Sequence, residues 1–197
     1  MAFILDEDDA LKAQLRGLKV VDEKNANRPV AVFYGQPDPE IRQQSYPYIT
    51  IDLVDVSEAP ERAMRGWIDL PYAPEGSDNT KSWSGEYPIP INLDYQITTY
   101  ARQPRHDRQI IAQLMNGPLA PRFASLPVAA DGSIRRLDFL GFAKRDTTEN
   151  GKRLFVNVFN VRVSSELIPG EVYELNPVTN VDLFLGWTNI SFTQQTA

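Results

Sequence analysis

The segment "PIPINLDYQITTYARQPRHDRQIIAQLM", Pro88 to Met115, limits the fold more than any other. Ile91, Leu93, Tyr95 and Ile97 alternate with Asn92, Asp94, Gln96 and Thr98. That is the period of a strand with one apolar and one polar face. Pro104 breaks the alternation and stands where a helix tolerates proline, near its first turn. Ile110, Ile111, Leu114 and Met115 then form an apolar helical face, and Asn116, Gly117 and Pro118 stop it. A strand and a helix therefore meet at Pro104.

The same reading extends along the chain. "DEDDALKAQLRGLKVV" predicts a helix. Asp6, Glu7, Asp8 and Asp9 lie at its positive end, and Leu11, Leu15 and Leu18 form its stripe. "RPVAVFYG" and "YPYITIDLVDV" read as strands. In the second, Ile49, Ile51 and Leu53 share one face, while Thr50 and Asp52 share a wet one. "GSIRRLDFLGFAKR" and "RLFVNVFNVRVSS" follow the connector "PLAPRFASLP". Both are apolar on two faces, and Asn150-Gly151 between them signals a hairpin. "ELIPGEVYELNPVTNV" looks loop-like, and the remainder holds room for one more strand and a tail.

Between Ser57 and Pro88 lie four prolines, three glycines and two of the three tryptophans. A loop of that length is uncommon unless functional. Trp67, Tyr72, Trp83 and Tyr87 argue against disorder, because disordered segments are poor in aromatics. The expectation is a single α+β domain over residues 1–197. Two helices pack on a small, mostly antiparallel sheet. Residues 57–88 form an inserted arm or hairpin, and residues 127–197 a C-terminal β extension.

Composition removes much chemistry. The chain has no cysteine and one histidine, which excludes disulfides, zinc–thiolate centres and multi-histidine metal sites. A net charge of −6 disfavours tight sequence-independent DNA binding. No apolar run approaches the roughly 20 residues of a membrane-spanning helix, and the opening residues do not read as a signal peptide. Glycines are scattered, so no phosphate loop forms. The context of Ser84-Gly85 is not that of a nucleophile elbow.

His106 lacks a nucleophile to serve, and Asp107, its neighbour on a helix, faces elsewhere. Both read as polar residues of a first helical turn. Arg102, Arg105 and Arg108 stand three apart. Cations at a helix start are locally unfavourable, so a carboxylate of another subunit, a phosphate backbone or solvent would have to meet them.

The succession of an amphipathic helix, "VAVFYG", "YPYITIDLVDV", a long arm and "PINLDYQITTYARQPRHDRQIIAQLM" resembles the tail terminator and neck proteins of tailed bacteriophages. The resemblance covers the chain to about Ala120. It implies a structural virion protein of the phage neck, a tail terminator above all. Such a protein forms a ring, commonly a hexamer, that caps the tail tube and docks to the head connector. It implies no enzyme, and no catalytic, metal or cofactor residues. Its partners would be further copies of itself, the tail tube protein, the head–tail connector or stopper protein, and the sheath protein where the tail contracts. DNA would pass through the channel without specific binding, and no membrane would be involved. The protein would assemble in the host cytoplasm and reside in the virion. Trp67, Tyr72, Trp83, Tyr87, Arg102, Arg105 and Arg108 would then serve contacts with neighbours. Two other readings stay open: a tail completion or head–tail stopper adaptor, and a small metal-dependent hydrolase or nuclease in which Asp52, Asp94 and His106 converge.

Overall fold

The computed structural model describes residues 4–22, 26–38, 46–70, 81–130, 132–149, 151–167, 172–175, 180–185 and 188–193. The chain runs through α1 (Leu5–Leu15), β1 (Lys19–Val21), β2 (Asn27–Pro29), β3 (Ala31–Tyr34) and β4 (Tyr48–Glu58). It continues through β5 (Trp67–Leu70), β6 (Ser82–Glu86), β7 (Ile89–Ala101), α2 (Pro104–Asn116) and β8 (Ala124–Pro127). Last come β9 (Ile134–Lys144), β10 (Thr147–Glu149), β11 (Lys152–Leu167), β12 (Val172–Leu175), β13 (Asn180–Leu185) and β14 (Thr188–Thr193). By spatial contact these fall into two compact units, residues 1–62 with 90–167, and residues 63–89 with 168–197.

The fold is α+β, as the periodicity implies, but the sheet is not small. In the first unit seven strands join in the order β3-β4-β7-β11-β9-β8, with β10 also on β11. β3 and β4 pair in parallel, whereas β4–β7, β11–β9, β9–β8 and β10–β11 are antiparallel. The strands just after Pro127 are thus part of the main sheet rather than an extension of it. The physical reason is visible in β11, where Leu154 to Phe159 are all buried, as an interior strand covered on both faces requires. β9 differs from expectation: only Leu137 along it is buried.

Both helices share one core with this sheet. Leu11 and Leu15 of α1, and Ile110 and Leu114 of α2, pack with Leu93, Tyr95 and Ile97 of β7 and with Phe159, Val161 and Val163 of β11. Each helix is also pinned by polar groups. The buried Glu7 carboxylate accepts the Ser165 hydroxyl and the Ile4 N–H. Asp8 accepts the Tyr95 hydroxyl at 2.7 Å, and Asp9 accepts that of Tyr34 at 2.9 Å. Three of the four acids read as helix-start charge therefore tie α1 to the sheet. On α2, the Gln109 and Gln113 amides exchange hydrogen bonds with the backbone of Val21 and Lys19. Four residues apart on one helical face, they cover the edge of β1 that β2 leaves open.

Other expectations shift. Burial along β4 divides by length rather than by face: Tyr48 to Ile51 are buried, whereas Leu53 to Val56 are exposed. The cause is β3, which pairs with Tyr48–Ile51 and stops there. In the second unit, part of the loop-like stretch is strand β12, which pairs with β6, and β6 pairs with β5. The last residues supply two strands, β13 and β14, paired with each other, where one was expected.

Burial pushes the Asp8 carboxyl above its ordinary value; the Tyr95 hydrogen bond opposes the shift, and the charges of Asp9 and Glu7 add to it. A carboxyl raised on folding stabilises most when protonated. Its contribution is complete below the unfolded value of about 3.9 and fades as pH rises through the folded value. Asp8→Asn, neutral throughout and still able to accept from Tyr95, is predicted to gain on the parent as pH goes from 4 to 7. Urea unfolding at both pH values measures the double difference, and an unchanged or opposite difference would refute this account.

Candidate functional site

At the Pro104 seam the structure builds a polar network. Asp107, buried, receives the Asn157 amide of β11 and the Lys144 ammonium of β9, the latter at 3.1 Å. The same Asn157 amide also donates to Thr99 of β7 at 3.1 Å. Asp107 thus joins α2 to three neighbouring strands. His106 is buried as well; its Nε2 lies 2.6 Å from Oδ1 of Asp22, an ion contact, when the imidazole is protonated, whose angles fall outside those of a hydrogen bond. Both are polar residues of the first helical turn, as expected, and both are buried within the fold.

The three arginines separate. Arg102 is half-buried and reaches Glu149 of β10 at 2.7 Å, with its guanidinium over the Tyr46 ring. Tyr46 donates to the same carboxylate at 2.8 Å. The acid that Arg102 requires is thus in its own chain. Arg105 and Arg108 are exposed and have no ion pair among the described residues.

Asp52, Asp94 and His106 do not converge. Asp94 accepts from Nε and Nη2 of Arg162, at 2.7 and 2.8 Å. Asp52 accepts the Thr50 hydroxyl at 3.5 Å, and His106 faces Asp22. No three potential metal ligands gather among the described residues. Of the aromatic residues in the arm, Trp67 is half exposed and meets Tyr173 of β12 edge-to-face at 4.7 Å. Trp83 and Tyr87 are partly buried, and Tyr72 lies outside the described residues.

What sequence reading missed lies at the sheet margins. Phe123 is wholly exposed, with a left-handed φ of 58°. It borders an open cleft of about 680 Å³ with Arg122, Ile134, Arg135 and Arg136. Ile134 is 74% exposed. The second margin is β4 beyond Ile51, where Leu53, Val54 and Val56 are exposed. The available signal was Phe123 itself, the single aromatic in the proline-spaced connector.

No protein-family model matches the chain, and no curated protein matches its sequence. Among solved structures, the chain is similar to the sheath/tube terminator, in the extended state, of an extracellular contractile injection system, PVC. The TM-score is 0.55 at 17% identity over 95% of this chain. The match spans 65% of that longer protein. The chain has a fold like that of this tail terminator, and the likeness includes strands well beyond the part that the sequence pattern suggested.

The Asp107 junction gives a direct expectation. Asp107→Ala leaves the buried Asn157 amide with one partner and Lys144 with only its longer 3.7 Å contact to Asp146. A charged hydrogen bond of this kind contributes about 1.5–3 kcal/mol. Urea denaturation should show a loss of that order, and a loss within error would remove Asp107 from the role assigned to it.

Proposed function

We propose that this chain is a tail terminator: a non-enzymatic structural protein that forms a ring, hexameric by preference, on the end of a tail tube. The observation that carries the reading is the shared fold with a sheath/tube terminator over 95% of this chain. That protein is the sheath/tube terminator of a contractile system, which supports a contractile tail in which this chain would contact both the tube and the sheath. The acidic net charge suits a channel that nucleic acid traverses without adhering. Residence in a phage virion, with docking to a head connector, is the form of this role that the sequence resemblance implies.

The role is testable on assembled tails. Purified protein added to growing tubes is predicted to stop elongation and to appear as a ring at one end by negative-stain microscopy. Removing it from the assembling system should broaden the length distribution of the tubes. Tubes of unchanged length and uncapped ends in both experiments would defeat the proposal. A ring found on a head connector and absent from tube ends would make the chain a stopper or completion protein. In a phage particle, a cryo-EM map of the neck places it between tube and connector if the virion form is correct.

A further inference from the structure

The two exposed margins of the main sheet differ in kind and lie on different strands. In the strand order β3-β4-β7-β11-β9-β8, three strands separate β4 from β8. At roughly 4.8 Å per strand, the two margins are on the order of 19 Å apart across the sheet.

The first margin is the outer half of β4. From Asp52 to Glu58 this strand pairs with β7 and, among the described residues, with nothing on its other side. A bulge falls at Val54, between Leu53 and Asp55 in the β7 register. Val54 is 64% exposed, and Leu53 and Val56 are exposed beside it. The ionisable groups here are acidic: Asp52, Asp55, Glu58 and Glu61. Two cations of the same unit, Arg162 and Arg62, are engaged elsewhere. Arg162 holds Asp94, and Arg62 donates to Asn92 and to the Ile91 carbonyl. Asp55, Glu58 and Glu61 form no ion pair among the described residues.

The second margin is the corner of β8 and β9. Phe123 and Ile134 stand out from it, ringed by Arg122, Arg135 and Arg136. Two acids share the corner: Asp138 pairs with Arg136 at 2.8 Å, and Glu166 lies 4.0 Å from Arg135. The corner remains basic by one charge. A bare phenylalanine with left-handed backbone is unfavourable in an isolated chain; covered by a partner it becomes an aromatic anchor of the kind that dominates interfaces.

We infer that these two margins bind each other between copies of this chain: Phe123 and Ile134 of one copy pack on Leu53, Val54 and Val56 of the next, with Arg122, which has no ion pair among the described residues, meeting Asp55 and Glu58. The inference deepens the ring-forming reading and rests on it. The contact joins two different patches, so it repeats head-to-tail and closes as a ring when the rotation per copy divides a full turn. Charge complementarity selects the second copy as occupant, since each patch supplies the sign that the other lacks. The joint is made by side chains, not by a continuous ladder. Pro127 has no N–H to offer at the edge of β8, and the Ser125 carbonyl already accepts the Gln14 amide at 3.0 Å.

Because the chain contains no cysteine, two double variants test the contact cleanly: Phe123→Cys with Val54→Cys, and Phe123→Cys with Val56→Cys. A disulfide requires Cα atoms within about 7 Å. Under mild oxidation, alone or on purified tubes, at least one double variant should give a ladder of covalent oligomers on a denaturing gel. The highest rung should match the number of subunits in the ring, and each single variant should give no ladder. Rings seen by microscopy with no ladder from either double variant overturn this contact and leave the ring reading standing. Absence of rings, free or on tubes, defeats the ring reading itself. Charge reversal is the second arm. Asp55→Lys with Glu58→Lys, and separately Arg122→Glu, should each abolish rings. Mixing the two proteins should restore rings in which they alternate, and failure to restore while both keep the parental circular dichroism counts against the contact.

Discussion

One row of side chains on β11 holds both helices to the sheet. Asn157, Phe159, Val161, Val163 and Ser165 point to the same face, as the period of two requires. The middle three are apolar and buried in the shared core. The two ends are polar and buried, and each anchors one helix: Asn157 through Asp107 of α2, Ser165 through Glu7 of α1. Eight residues at about 3.3 Å each separate these anchors by roughly 26 Å. An apolar row alone would let the helices slide. Buried donors and acceptors that lose free energy when unpaired accept one placement.

With the helices so held, one face of the sheet is closed and the remaining freedom lies at its margins. The polar groups near Pro104 that suggest chemistry are spent inside the chain: Arg102 on Glu149, His106 beside Asp22, Asp107 on Asn157 and Lys144. Arg105 and Arg108 remain on the surface. The exposed apolar groups, Phe123 and Ile134 at one margin and Leu53, Val54 and Val56 at the other, are what this scaffold leaves uncovered.

Period and composition determined a good deal of this protein before any coordinates. The alternation in Ile91–Thr98, the proline at the head of α2 and the leucines of α1 depend on neighbours one to four residues away, so they can be read from the chain. The absence of cysteine and the single histidine decided equally well which metal and redox centres this sequence cannot hold. Only the tertiary structure decided the rest. That Asp107 is a junction rather than a helix-start charge depends on Asn157, fifty residues on, and that Glu7 is buried depends on Ser165, which is farther still. The exposure of Val54 depends on where β3 ends, and that of Phe123 on the turn into β8. Burial is a property of what comes alongside. Local pattern specifies which residues can share a face, while the partners of that face are chosen by the pairing of distant strands.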